Sequence, residues 1–351
     1  MERKEFTQMV TIKDIAELSG YSIGTVSRVI NNHPDVSQKA RDKIDQVIRE
    51  NNFRPNSNAR GLKQVLNTSI SIIVRGFHNM FFEGLLEQVQ ADLRENGEDA
   101  EVSFLDENAD EVQAALEILR VRKPKGFIFL GGNLEYFRAE YPGIDVPSVL
   151  LTNTTEELDL PGLSSFTTDD ERAAGEVIRY LLRMGHRRIG IIGGSQSRTG
   201  SQIGYRRLMG CEKAFQESGI PFDLNKQYEP SLFSMQGGYD AARKLLHKAP
   251  DITAIFAIGD TIAIGAMRAI RDQGLCIPQD ISIIGYDGIE ESRFMIPRLA
   301  TIRQDTEALA MRAAEDLLFR LNYRHPVRHE YVPFELVEGE SVRLIEETPK
   351  I

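Results

Sequence analysis

After residue 69 the chain alternates short apolar runs with amphipathic stretches, and this rhythm limits the possible folds more than any other feature. "SISIIV" reads as a buried strand, "MFFEGLLEQVQADLREN" as a helix, "DAEVSFLD" as a strand, "DEVQAALEILRVRK" as a helix, and "PKGFIFLGG" and "PSVLLTN" as further strands. The pattern restarts near residue 172, with helix "RAAGEVIRYLLRMG", strand "RRIGIIGG", helices "RRLMGCEKAFQESG" and "QGGYDAARKLLHKA", strand "ITAIFAIG", helix "TIAIGAMRAIRDQG" and strand "ISIIGYD". Strands alternating with helices predict parallel sheets covered on both faces, here as two α/β units of similar size. Two such lobes in one chain commonly enclose a ligand at the carboxyl ends of their strands.

The first 63 residues do not share this rhythm, and their charge differs as well. They hold 11 Lys/Arg against 8 Asp/Glu (net +3), leaving 31 against 44 (net −13) for the rest of the 351 residues. A basic head on an acidic body directs any polyanion to the head alone. No apolar run reaches the roughly 18 residues of a membrane span. "MERKEFTQMV" lacks the apolar core and cleavage site of an export signal, so a cytoplasmic protein is expected. Cys211 and Cys276 stand far apart without metal-ligand spacing, which predicts two reduced thiols.

Within the head, Thr11 opens a Thr-x-x-Asp start, and Ile12, Ile15, Ala16 and Ser19 fall on one helical face. Gly20 permits a tight turn. Ser22 caps a second helix whose Val26, Val29 and Ile30 recur at helical spacing, and a third helix from Ser37 turns Ala40, Ile44, Val47 and Ile48 inward, with Phe53 closing the small core. Three short helices with a tight turn between the first two match a helix-turn-helix head, residues 1–54. In that geometry the helix from Ile23 to Ile30 enters the major groove N-terminus first. Ser22 and Thr25 reach phosphates or base edges, Ile23 touches a thymine methyl, Gly24 lets the backbone approach, and Arg28 forks onto a guanine. Ser27 and Asn31 are the remaining candidates on this helix and its end.

Pro55 stops the third helix, and residues 55–68 form a hinge. Asn56 or Ser57 can cap a helix of only about seven residues, which is marginal without a partner. Leu62, set between Ala59, Arg60 and Lys63, is an apolar wedge among cations, of the kind that opens a base step from the minor groove. The Gly pairs at 131–132 and 193–194 give neither G-x-G-x-x-G nor a Walker loop and read as strand-end turns. No nucleophile triad or metal spacing is evident among the six His, and His186 reads as a helix-end residue. No catalytic residue, metal or cofactor is therefore expected.

"VTIKDIAELSGYSIGTVSRVIN", "RPNSNARGLK", "MGHRRIGIIGG", "DTIAIGAMRAIRDQGLCIPQDISIIGYDG" and "PRLATIRQD" together resemble the lactose-repressor family of bacterial transcription regulators, in the family's order from about Val10 to about Val342. The resemblance implies an α/β chain with a three-helix helix-turn-helix head and hinge helix. Its body (69–351) is two-lobed, with parallel sheets and the fold of periplasmic binding proteins. It implies a homodimer on a pseudo-palindromic double-stranded DNA operator, with Leu62 matching the leucine that enters the minor groove. Lobe 1 is expected at about 69–166 and 299–322, and lobe 2 at about 167–298 and 323–345, with crossings near Phe166, Arg298 and Tyr323.

The effector site carried over by the resemblance comprises Asp287, which accepts hydrogen bonds from ligand hydroxyls or ring nitrogens, and Arg207 from the second lobe. Phe81 and Phe82 form an apolar wall, and Arg75 lies at the end of the first strand. This set suits a sugar. Gly259 departs from the Asn or Asp that relatives often place there, and Thr152 from the Asp of some sugar-responsive members; Arg75 with the Arg198-containing loop points to an anionic effector such as a sugar phosphate, and a purine effector or a corepressor is a further alternative. A solute-binding protein or an enzyme on the same body is the remote alternative.

Overall fold

The computed structural model describes residues 12–30, 36–51, 69–77, 79–195 and 203–345. The chain divides into two compact units, Met1–Leu66 and Asn67–Ile351.

In the first unit, helices α1 (Ile12–Ser19), α2 (Ile23–Ile30) and α3 (Gln38–Glu50) enclose Ile15, Ala16, Val26, Val29, Ile44 and Val47, with Tyr21, Val36 and Ile48 packed at the margin. Gly20 makes the turn between α1 and α2 at φ +76°, and the N–H groups of Gly20 and Tyr21 both donate to Ala16 O. The hydroxyl of Ser22 accepts the Thr25 N–H at 3.2 Å, and Ser37 accepts the Ala40 N–H at 3.4 Å. The cap expected at Ser22 is thus present, and Ser37 adds a second at the start of α3. Phe53 lies outside the described residues.

The second unit runs β1 (Ile70–Arg75), α4 (Met80–Glu95), β2 (Ala100–Leu105), α5 (Glu111–Arg122), β3 (Phe127–Leu130), α6 (Leu134–Glu140), β4 (Ser148–Leu151), β5 (Leu163–Thr168), α7 (Asp170–Arg183) and β6 (Ile189–Ile192). It continues through α8 (Ile203–Glu217), α9 (Leu224–Gln227), β7 (Tyr228–Glu229), α10 (Met235–Lys248), β8 (Ala254–Ala257), α11 (Asp260–Asp272) and β9 (Ser282–Asp287). It ends with β10 (Ala300–Gln304), α12 (Thr306–Asn322), β11 (His329–Val332) and β12 (Phe334–Val337). The strands build two six-stranded sheets, β11-β5-β4-β3-β1-β2 and β12-β10-β9-β8-β6-β7. The first is parallel throughout, and in the second only β12 runs antiparallel. Helices cover both faces, so β3, β4, β6, β8 and β9 are buried along their whole length.

Most helices that follow a strand begin with a side-chain cap. Asn79, Asp110, Asn133, Asp169, Ser234 and Asp305 each accept an N–H from the first turn. Because each capped helix follows a strand's carboxyl end, these polar residues gather where the two sheets face one another.

The chain crosses between lobes three times, and two crossings differ from expectation. The first falls at Asp169, close to the expected Phe166. The second lies at Asp305 rather than Arg298, because β10 hydrogen-bonds to β9 in the second sheet before α12 returns to pack on the first. The third lies at Pro333 rather than Tyr323. "HEYVPFELV" reads as one run, but Pro333 has no N–H to continue a ladder, so β11 pairs with β5 and β12 with β10.

Helices α10 and α11 meet at a reciprocal glycine contact. A Cβ on Gly265 would lie 1.8 Å from Met235 O, and one on Gly238 would lie 2.1 Å from Ile262 O. Gly265→Ala or Gly238→Ala should force these backbones apart and cost about 2–3 kcal/mol in urea denaturation. Gly84→Ala in α4, where nothing stands within 4 Å of the new Cβ, should instead stabilise the protein by about 0.5–1 kcal/mol.

Candidate functional site

In the head, α2 turns Val26 and Val29 into the core and leaves Gly24 and Arg28 exposed, one helical turn apart on the same side. Ser22 is also exposed, and its hydroxyl meets that of Thr25 at 2.9 Å while capping the helix. The positive end of α2 and the Arg28 guanidinium therefore share an open surface, as a phosphate-facing helix requires. Thr11, Asn31, Asn56, Ala59, Arg60, Leu62 and Lys63 lie outside the described residues, as do the side chains of Ile23 and Ser27.

In the body, α8 and the end of β9 bring Arg207 and Asp287 together. Arg207 Nε donates to Asp170 Oδ1 at 2.7 Å, while its Nη1 donates to Ile258 O and reaches Asp287 Oδ1 at 3.4 Å. The guanidinium lies 3.6 Å from the centre of the Tyr286 ring, and the Tyr286 hydroxyl donates to Asp170 at 2.9 Å. Gln304, the last residue of β10, donates to Asp287 Oδ1 at 2.8 Å. All of these side chains are buried. Burial pushes the Asp287 carboxyl up to about 6, against the downward pull of Arg207 and Gln304.

Asp287 has φ +111°, a conformation that an aspartate holds only when its surroundings impose it. Asp260 supplies that constraint. Its carboxylate accepts the N–H groups of Gly288 at 2.8 Å and Ile289 at 3.0 Å, and the Thr301 hydroxyl at 2.7 Å. Burial, and then repulsion from Asp287, raise the Asp260 pKa well above the carboxylate range. Asp260 thus fixes the turn that aims Asp287.

The first lobe contributes differently from the sequence reading. Arg75 Nε donates to Glu107 O at 2.8 Å and lies 3.7 Å from Glu111 Oε2. Glu111 is fully buried, accepts the Asn133 N–H, and is raised to about 6 chiefly by burial. The charge of Arg75 is therefore matched from within the lobe. Phe81 and Phe82, with ring centroids 5.9 Å apart, pack into the first-lobe apolar cluster, which Ile289 of the second lobe also joins. The Phe82 ring covers Gly131, where a Cβ would lie 2.9 Å from it.

Phe233 escaped the sequence reading. A Cβ on Gly259 would lie 3.2 Å from the Phe233 ring and 3.4 Å from Asp287 Oδ2. The missing side chain at Gly259 thus lets an aromatic ring stand beside the aspartate. The Phe233 N–H reaches across to Glu107 Oε1 at 3.4 Å, a polar contact between the lobes, and burial raises the Glu107 pKa. The signal for Phe233 was the departure at Gly259 itself, since space vacated by one side chain is filled by another.

His186 is a satisfied core residue. Its ring nitrogens meet Thr253 Oγ1 at 2.9 Å and Arg343 O at 3.1 Å, and burial lowers its pKa to about 4. Among the described residues there is no cluster of three or more His, Cys, Asp or Glu able to hold a metal, and no helix is long and apolar enough to cross a membrane.

Known proteins share this two-part plan. The profile of bacterial regulatory proteins of the lacI family matches residues 11–56, and that of periplasmic binding protein-like domains matches residues 178–342. The transcriptional regulator MalR of Clostridium butyricum is 35% identical over 335 residues, covering 95% of this chain and 99% of that protein. The ribose operon repressor of Haemophilus influenzae is 33% identical over 323 residues, covering 90% and 95%. The structure of the lac repressor dimer bound to operator and the anti-inducer ONPF superposes with a TM-score of 0.70 at 25% identity, covering 96% of this chain and all of that one. With a DNA-reading head, a two-lobed ligand-binding body and full-length relatives that are transcription regulators, the chain belongs to the lacI family of bacterial regulatory proteins.

Proposed function

We propose that this regulator is a cytoplasmic, non-enzymatic repressor of carbohydrate-utilisation genes, and that its effector is a neutral sugar. One observation carries the choice of effector. Around the cleft the Arg75 guanidinium stands against the Glu107 carbonyl oxygen and the Glu111 carboxylate, and that of Arg207 against the carboxylates of Asp170 and Asp287. Both cations are already matched, so among the described residues this cluster has no cation to spare for a phosphate. Arg75 therefore loses its value as a sign of an anionic effector, and Arg198 lies outside the described residues. A neutral polyol fits better. Asp287 accepts its hydroxyl protons, and Phe233 offers an aromatic face to its C–H side. The likeness to a ribose operon repressor supports the same reading.

In this reading Asp287, Arg207 and Phe233 contact the effector, with Gln304 and Asp260 positioning Asp287. Phe81 and Phe82 line the first-lobe wall from within its core. Effector binding alters the angle between the lobes, and the change passes through residues 55–68 to the operator-bound heads. A few kcal/mol of differential affinity for two states suffices for such a switch.

A thermal-shift panel of neutral mono- and disaccharides, sugar phosphates and purines tests the effector class. A neutral sugar should raise Tm and change operator affinity; a response confined to phosphates or purines overturns the proposal. Asp287→Asn should weaken the active sugar at least tenfold. Because ionised Asp287 is the acceptor and its pKa is about 6, affinity should be flat from neutral pH to just above that value. Below it, affinity should fall by up to about tenfold per unit, and the Asn variant should show no such fall.

On the DNA side, Ser22, Ile23, Gly24, Thr25, Ser27 and Arg28 form the reading surface, with Thr11 and Asn31 at its margins. The hinge contributes Leu62 as wedge, with Asn56, Ala59, Arg60 and Lys63 beside it. Arg28→Ala should relax base preference at one pair per half-site in a binding-site selection, at a cost of about 1–3 kcal/mol. Leu62→Ser should remove specific operator affinity while leaving weak, salt-dependent binding to random duplex. An unchanged base preference, or an unchanged specific affinity, would remove the residue concerned from the interface.

A further inference from the structure

We propose that Ile289 and Ile264 form an apolar lock between the lobes, and that Ile289 is the positioning residue through which Asp287 acts on the first lobe. The proposal rests on Asp287 as the effector's acceptor, but not on which effector it accepts.

Ile289 belongs to the second lobe by position, two residues beyond the end of β9. It is 6% exposed, yet the apolar cluster it joins is that of the first lobe, with Phe81, Phe82 and Leu85 of α4 and Leu309 of α12. Among the described residues no other second-lobe side chain is a buried member of that cluster. Ile264 of α11 packs against it from the margin. The neighbours of Ile264 on the same helix, Ile262, Ala263, Ala266 and Met267, belong instead to the second lobe's own core. Two isoleucines thus leave one lobe and lodge in the other, and separating the lobes would return their apolar surface to water.

The hydrogen bonds beneath these side chains make them move with Asp287. Gly288 alone separates Asp287 from Ile289, and both Asp287 and Gly288 hold positive φ, at +111° and +75°. Asp260 accepts the N–H groups of Gly288 and Ile289, and the Ile289 carbonyl accepts the Ser292 hydroxyl at 2.7 Å. Asp260 is also the first residue of α11, one helical turn before Ile264. Asp287, Ile289 and Ile264 are therefore parts of one stiff block, with the carboxylate at the cleft and the two isoleucines in the opposite lobe. A ligand that draws on Asp287 shifts both isoleucines against the first-lobe cluster. A close-packed contact does not deform gradually, so the isoleucines are either seated or displaced. The lock gives the lobe angle two discrete settings, and effector binding selects between them.

The test compares the full chain with Ile289→Ala, the conservative Ile289→Val and a control, Ile270→Ala, which removes a fully buried isoleucine of α11 from the second lobe's own core. With no sugar present, Ile289→Ala should speed amide hydrogen exchange at the start of α4, in the other lobe, by about fivefold or more relative to the rest of the chain. Ile270→Ala should show no such selective effect. The fold-change in operator affinity that the active sugar produces should shrink by about fivefold or more in Ile289→Ala, and stay near its parental value in Ile289→Val and Ile270→Ala. Unchanged α4 exchange in Ile289→Ala, or an undiminished sugar effect on operator affinity, overturns the proposal. An equal response from Ile270→Ala also overturns it, because lost stability rather than a lock would then be the cause. Should Ile289→Ala not fold, Ile264→Ala, which removes a half-buried side chain, decides in its place. If no sugar binds, the effector reading fails, and the exchange measurement, which needs no ligand, still decides the lock.

Discussion

The buried guanidinium of Arg207 is the interaction on which the rest of the body depends. It joins α8 to the start of α7 through Asp170, to the end of β9 through Asp287, and to the turn after β8 through Ile258 O. Burial alone would weaken its hold on the proton, but the two carboxylates more than reverse this and keep it charged. Such a network is not a large source of net stability, because desolvating the charges offsets most of their attraction. What it supplies is position. Removing one member strands the others without partners, so the arrangement exists as a whole or not at all.

This constraint leaves the ligand a defined target. With Oδ1 of Asp287 already bonded to Gln304 and Arg207, and the backbone held at positive φ by Asp260, a hydroxyl meets an acceptor that needs little reorganisation. Phe233 adds a flat apolar surface beside it, in space that Gly259 leaves open. In the proposed reading the body recognises a polyol through one fixed carboxylate and one ring, while the net negative charge of residues 64–351 directs polyanions to the head.

The lobes are joined by short crossings. One residue separates the elements at each: Asp169 between β5 and α7, Asp305 between β10 and α12, and Pro333 between β11 and β12. Asp169 and Asp305 also cap the helices they introduce, so rotation between the lobes is confined to a few backbone torsions. The Glu107 contact with the Phe233 N–H adds a polar link between the lobes that is separate from these crossings.

Much of this was legible in the sequence, because periodicity and capping are local. The head helices, the Ser22 cap, the parallel strands and the covering helices all follow from residue spacing, and Arg207 and Asp287 follow from family resemblance. Strand β5 was not legible. "LSSFTT" is polar, yet fully buried, because Ser164 and Ser165 spend their hydroxyls on the Arg328 N–H, the Thr155 N–H and His329. Those partners are distant in sequence and exist only once the sheet has formed. The same holds for the Arg75–Glu111 pairing, for Phe233 beside Gly259, and for the point at which each strand changes sheets. Sequence determined which segments are helix or strand and which part of the chain carries the positive charge, since these depend on neighbours a few residues away. Tertiary structure alone decided which charges are already matched and which ring fills which space, because burial and pairing depend on residues that folding brings together from afar.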